Sequence, residues 1–567
     1  MNKNRYRIIF SKAKNMFIAV AENIKSQSKT SGQTVATNLS VETDSTSFHQ
    51  LWQVKSIVAS MSLFMAFSPV YANIQVDPGA AAANRAVVGV GKNAQGQNVP
   101  VVNIQTAKNG ISHNVYKQFD VLQPGVVLNN SRGGAKSVIV GNVAANPFLN
   151  TGEARVILNE VNSTAATQFL GNLEVAGQRA DVIIANPSGI VVNGGGFINA
   201  NKGILTTGKP QMNADGSLKQ FVVDQGKVTI NGGANNLGLG GNNNNAEFVD
   251  IYARALEMNA QLHAKQGINV ITGANTISAD LENVTDKTST AAKPALAVDV
   301  KALGGMYANN IFIMGTEKGL GVSNAGTLRA VNNLVVTSAG QVQHSGTMES
   351  TSPTQGMLNI QTTGTGAEAN ITSSGLISSK GLLNINSGSD LNITAKEVKV
   401  DVGTVSPLIL SAKGNLNIAA KANVRNFSTD KGDIYLDGKN ITVGAGALIG
   451  GNGSVNLNAT DGNVLINKTS SLSARYDLGI QAKDSINIDA SSIWATKGDV
   501  NLISLGTKDT SFLNITNTKL SSGKDFNISG ANNVKLNSSI VQESSSNINL
   551  YANNNLDIGD DINKVNF

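Results

Sequence analysis

The chain has 567 residues and a formal net charge of +6; only 14% of its residues are charged and 5% aromatic, against 58 glycines and 10 prolines. That balance excludes a core of aromatics framed by charged amphipathic helices and favours an elongated, stacked, strand-rich body. With no cysteine, no disulfide staples the chain and no covalent loop obstructs threading through a pore.

The first element is a leader, residues 1–72, which holds eight basic residues against three acidic ones and leaves the rest of the chain at +1. A near-neutral body argues against nucleic acid as a partner. Met1–Glu22 mixes basic and apolar residues and is followed by a Ser/Thr/Gln-rich stretch. Such a segment would hold the chain at the anionic inner leaflet. It resembles the extended signal peptide region of very large exported proteins of Gram-negative bacteria. Further on, Lys55 precedes the apolar run Ser56–Phe67, then Pro69 and the small-residue site Val70-Tyr71-Ala72. The run is shorter than the ~18 apolar residues of a membrane span, so it reads as a secretory signal peptide cleaved between Ala72 and Asn73. A buried N-terminal helix is the alternative, and the leader as a whole is expected to be helical or disordered.

From Asn73 onward short apolar runs alternate with Gly/Asn turns: Val87–Val90, Val101–Ile104, Val126–Leu128, Val138–Val140, Val156–Leu158, Val182–Ile184 and Ile190–Val192. Each is a strand by length and by its flanking turn formers, and no long 3.6-residue period interrupts them. Two Asn-Pro sites, Asn146-Pro147-Phe148-Leu149 and Asn186-Pro187-Ser188-Gly189-Ile190, read as turns, since Pro fixes φ and Asn bonds its own backbone two residues on.

Taken together, Val115–Ser131, the Asn146–Leu149 motif and Ala180–Gly194 resemble, in order and spacing, the secretion domain of the filamentous haemagglutinin family. The likeness continues through Ile251–Ala260, Val270–Asn275 and Leu303–Asn309 to about Gly319. It implies an all-β fold: a right-handed parallel β-helix, or β-solenoid, with an N-terminal cap and extra-helical strands. It also implies recognition in the periplasm by a dedicated outer-membrane transporter, after transfer by the general secretory machinery. Carried over, Asn146, Pro147, Phe148 and Leu149, with Asn186, Pro187, Ser188, Gly189 and Ile190, are the residues tied to secretion competence. Phe148 and Ser188 depart from the commonest family pattern, which has Asn at both places. We read both motifs as turns that set strand register, with direct contact to the transporter as the alternative.

Beyond about Ala325 the sequence repeats itself, with Gly414–Ile418, Gly432–Leu436, Gly453–Leu457, Gly462–Ile466, Gly498–Leu502, Lys524–Ile528 and Ser546–Leu550 each a turn followed by a short alternating strand. Many recur at about 20 residues, the period of a solenoid coil. Asparagine is abundant beside these strands, which suits corners in the left-handed region and stacks of identical side chains. The organisation expected is therefore a leader over 1–72, a secretion domain over 73–325 and a β-helical shaft over 326–567. The run Asp560–Phe567 carries no recognisable cap, which reads as a truncated chain or a fragment.

Enzymes also use β-helices, so catalytic groups must be sought. The four histidines, His49, His113, His263 and His344, have no metal-ligand spacing, and Asp433, Asp437, Asp484, Asp489 and Asp499 sit at or near repeat turns where Asp is first a turn former. Gly194–Gly196 and Gly240–Asn245 lack the Lys-Ser/Thr of a phosphate loop. No catalytic site, metal or cofactor is expected, and a polysaccharide-active enzyme is the remote alternative. The expected protein is a secreted or surface-bound exoprotein of a Gram-negative bacterium with an adhesive shaft, its partners a transporter and a host or neighbouring-cell receptor. Its rival is the N-terminal part of a contact-dependent growth-inhibition toxin carrier. The chain contains neither a Val-Glu-Asn-Asn boundary motif nor Arg-Gly-Asp.

Overall fold

A computed structural model describes residues 6–11, 16–21 and 74–559, the last apart from 233, 244, 355, 395–396, 402–405, 430–431, 538–539 and 542–546. The proposed cleavage site, Val70, Ala72 and Asn73, lies outside the described residues, as does His49. In the leader, Tyr6–Ser11 pairs antiparallel with Met16–Ala21. This corrects the expectation of a helical or disordered leader for those residues. Ile8-Ile9-Phe10 and Phe17-Ile18 are β-branched and aromatic, and the two runs are close enough to close as a hairpin.

The body is a parallel β-solenoid. One long sheet stacks 16 strands, from Thr167–Phe169 to Leu556–Ile558, one from each coil. Two further faces run beside it and merge where Gly305–Gly315 and Thr327–Ser338 continue round a corner, each long enough to serve both faces. Hydrogen-bonded residues in neighbouring coils are commonly 22 to 27 apart, longer than the expected period, because the corner loops vary while the strands keep register.

The strands obey one rule. In Ile434–Gly438 and Val455–Ala459 alternate residues point inward and are buried, while the others face solvent in part. Inward Ile, Leu and Val stack coil on coil into one continuous core reaching from Ala86 to Leu536. Burying each such side chain contributes about 1.5–3 kcal/mol, but a coil gains this only when a neighbour covers it. Outward asparagines form ladders: Asn527 Nδ2 donates to Asn501 Oδ1 and Asn549 Nδ2 to Asn527 Oδ1, both at 2.8 Å. At the corners a second column runs from side chain to backbone, with Asp433, Asp477, Asp499 and Asp525 each accepting a bond from an amide one coil later. These bonds satisfy corner amides that the sheets leave unpaired.

The N-terminal end is capped. Ile74–Val76 lies antiparallel on Ile111–Phe119, and Val87–Lys92 pairs antiparallel with Asn98–Asn103, which joins the first coil through Val126–Asn130. Tyr116 and Phe119 are fully buried beneath it, their rings 4.9 Å apart. Val138–Val140, expected as a strand, is instead the turn of a hairpin between Ala135–Ser137 and Gly141–Val143. The buried carboxylate of Glu174 accepts bonds from the amides of Val138 and Ile139 at 2.6 and 2.9 Å and holds that turn closed.

A four-stranded antiparallel sheet, made of Lys209–Met212, Leu218–Val223, Asn275–Ser278 and Val284–Asp286, lies outside the solenoid. It covers outward-facing apolar residues of several coils, among them Ile183, Tyr252, Ile271 and Phe312, in a second core. The solenoid is continuous across residues 325 and 326, where Gly321–Asn324 is followed directly by Thr327–Ser338.

Candidate functional site

The two Asn-Pro motifs fold into the same turn at different places on the first coils. Asn146 is buried; its Oδ1 accepts from Phe148 N at 3.0 Å, and its Nδ2 donates to Ile104 O at 3.0 Å and Asn129 O at 2.9 Å. Asn186, fully buried, repeats this: Oδ1 accepts from Ser188 N at 2.9 Å, and Nδ2 donates to Ala165 O at 3.0 Å and Thr167 Oγ1 at 3.1 Å. In both, the amide three residues on returns to the asparagine carbonyl, Leu149 N at 3.3 Å and Gly189 N at 3.0 Å. The physical logic is that of a side-chain turn: the asparagine oxygen replaces a backbone acceptor, and the proline brings no amide that would need one.

The neighbouring positions divide between core and surface. Leu149 and Ile190 are fully buried, and Ile190 opens the strand Ile190–Asn193 between Thr167 and Val228. Pro147 is exposed, while Phe148, Pro187 and Ser188 are half-buried. Gly189 has φ +111, and a Cβ there would stand 3.0 Å from Lys227 O, so glycine is required. The two departures are both tied to the fold: Thr106 Oγ1 donates to Phe148 O at 2.7 Å, and Ser188 Oγ donates to Ser163 O at 2.5 Å. Each motif thus ties its own turn to a chain segment tens of residues earlier, and no hydrogen bond joins one motif to the other.

Several residues that sequence reasoning did not single out complete this region. Asn130, fully buried, exchanges bonds with Ala154 in both directions and donates to Gln178 O. Beneath the extra-helical sheet, Lys202 Nζ lies 2.9 Å from Asp250 Oδ2, both buried, and Asp250 also accepts from Tyr252 and Asn269 at 2.6 and 2.7 Å. Burial raises the Asp181 carboxyl above its usual range there, and burial first, then the Asp250 charge, pushes the Tyr252 hydroxyl far up. Arg254, also buried, grips Glu317 at 3.0 Å and donates to Asp224 O, Ser289 Oγ and Ala291 O, locking the 288–291 loop on the solenoid. Charged residues flanked by apolar ones within a strand, as in Val249-Asp250-Ile251, were the available signal.

The carboxylates and histidines weighed for chemistry are spread along the solenoid. Asp433 and Asp499 are corner acceptors, Asp484 binds Ser511 and Lys508, Asp489 faces Lys468 at 3.9 Å and Asp437 accepts from Asn458 at 3.2 Å. His113 bonds Glu160 and Asn84, His263 stacks on Tyr307 at 4.8 Å and His344 is held between Asn324 and Leu376 O. Among the described residues no group of three or more acids or histidines could hold a metal ion. Gly240, Gly241 and Asn243, with positive φ, form a turn.

Comparison with known proteins identifies the capped part of this solenoid. Residues 74–349 match the family model described as the TPS secretion domain, and residues 1–50 the Extended Signal Peptide of Type V secretion system. The chain is a two-partner secretion exoprotein, secreted and surface-located in Gram-negative bacteria. The matched region is a secretion domain and not a catalytic one.

The chain is 38% identical over 358 residues to the "Toxin CdiA" of Yersinia pestis, covering 62% of this chain and 10% of that protein. It is 36% identical over 333 residues to the "tRNA nuclease CdiA-2" of Burkholderia pseudomallei, covering 58% and 10%. It therefore spans about a tenth of the length of these relatives. The crystal structure of the filamentous hemagglutinin secretion domain aligns at 31% identity with a TM-score of 0.42, over 58% of this chain and 99% of that one.

Proposed function

We propose that residues 73–325 are the secretion domain and that Asn146–Leu149 and Asn186–Ile190 confer secretion competence by holding the first coils in register. The observation that carries this reading is the duplicated turn, in which every polar atom of a buried asparagine side chain is spent on the domain's own backbone or side chains. A side chain so engaged acts through the fold it stabilises. Residues 326–567 then form an adhesive shaft, presented to a host or neighbouring cell after transfer by the general secretory machinery and the transporter. Each coil that emerges gains stability by covering the previous one, which biases transport outward. The similarity to CdiA proteins favours a second reading of the shaft, as the base of a growth-inhibition toxin carrier.

The test is to fuse residues 1–349 to a reporter protein and express it with the partner transporter. Reporter in the medium, lost on substitution of either asparagine by alanine, is expected. Export of the reporter fused only to residues 1–72 would refute the assignment.

A further inference from the structure

The strands Asn423–Asn426, Leu448–Gly451, Ser471–Ala474 and Ser492–Ala495 form part of one outer face of the solenoid. A groove on that face is lined by Arg425, Phe427, Gly450, Asn452, Ser473 and Trp494. Register places Arg425 beside Gly450, Gly450 beside Ser473 and Ser473 beside Trp494, so the four make one outward column over four coils. At about 4.8 Å per strand, the two ends of this column lie about 14 Å apart. Between them the floor is low by necessity: a Cβ on Gly450 would stand 2.7 Å from the Ser473 backbone oxygen.

Both ends carry unspent chemistry. Trp494 is the single tryptophan of the described residues; it is 37% exposed, and its indole N–H has no partner among them. The Arg425 guanidinium lies 5.8 Å from the centre of the Phe427 ring and has no carboxylate partner among the described residues. The same column contains two other cations, and both are neutralised. Arg329 pairs with Glu349 at 2.7 Å, and Lys399 pairs with Glu397 and Asp401 at 3.3 Å. An arginine positioned over a ring and left without an anion among the described residues, opposite a half-exposed indole across a floor of glycine and serine, is a recognition surface.

We infer that this groove binds an acidic oligosaccharide lying across the coils. The strand amides and carbonyls are already used between coils, so a peptide strand finds no free edge here and a ligand meets side chains only. A sugar ring offers an apolar C–H face to the indole and hydroxyls to Ser473 and Asn452. A carboxylate or sulfate on the chain takes the guanidinium fork. The inference rests on reading the shaft as a cell-contact surface and gives that surface a ligand class.

The experiment uses the purified chain, so its failure is separate from failure of export. Binding of trigalacturonate, of its methyl ester and of a hexaglutamate peptide is measured by calorimetry and by tryptophan fluorescence. The free acid is expected to bind and shift the emission, with the ester about tenfold weaker; Trp494→Ala weakens the acid about tenfold, and Arg425→Gln removes the preference for acid over ester. Both side chains face outward, so hydrogen exchange in the strands from Asn423–Asn426 to Ser492–Ala495 stays at the wild-type level in the variants. No binding of the acid, equal binding by both variants, or tighter binding of hexaglutamate would overturn the inference.

Discussion

Replacing Asn186 by alanine removes three hydrogen bonds, to Ala165 O, Thr167 Oγ1 and Ser188 N, from a fully buried position. At about 1 kcal/mol per bond, with the Ser188 amide and the Ala165 carbonyl left without these partners, the local cost is about 3 kcal/mol. A solenoid opens coil by coil, so the whole-chain unfolding midpoint is a poor reporter. Hydrogen exchange read at the Ser188 and Gly189 amides is the suitable assay, and about 3 kcal/mol corresponds to a loss of protection of about a hundredfold. Asn186→Asp keeps an oxygen for the Ser188 amide but turns the donor that faces Ala165 O into a second acceptor, so it should be no less damaging. If Asn186→Ala leaves protection within a fewfold of wild type and still abolishes export, the asparagine acts by touching the transporter, and the register argument is wrong.

Other expectations follow from the same contacts. Lys202→Met strands the buried Asp250 carboxylate and should destabilise the coils under the extra-helical sheet by about 3–5 kcal/mol, visible as proteolysis within residues 180–290. Gly189→Ala places a Cβ at φ +111 beside Lys227 O and should cost about 1–3 kcal/mol; wild-type exchange at the same amides would contradict that. His344 is predicted to make its coil pH-sensitive. Burial holds its pKa below the usual 6.5, with Nδ1 3.1 Å from Asn324 Nδ2 and Nε2 3.1 Å from Leu376 O. The unfolded chain binds the proton first, so stability is full above 6.5 and falls as pH drops from there toward the folded value. Protection around Val342–His344, corrected for the intrinsic exchange rate at each pH, should fall between pH 7.5 and 5.5, and His344→Gln should flatten that response.

Much of the solenoid was legible in the sequence because its rule is local. Alternation in Ile434–Gly438 and the Gly-Asn punctuation before each strand declare inward and outward faces without knowledge of the partner coil. The Asn-Pro motifs were legible as turns for the same reason. What stayed hidden depends on distant segments. Val138–Val140 has strand composition, yet Glu174 caps it as a turn from 35 residues away. The extra-helical sheet pairs Leu218–Val223 with Asn275–Ser278, a match that no periodicity marks, and the buried Lys202–Asp250 pair makes sense only beneath it. Coil length was misjudged because the corner loops, not the strands, set it.

The most direct measurement of the central claim is to express the chain with and without the outer-membrane transporter of the same genome, then analyse medium and cell surface by mass spectrometry. A surface product that begins at Asn73, requires the transporter and is lost in Asn146→Ala and Asn186→Ala is the predicted result. A product reaching the surface without the transporter would contradict two-partner export.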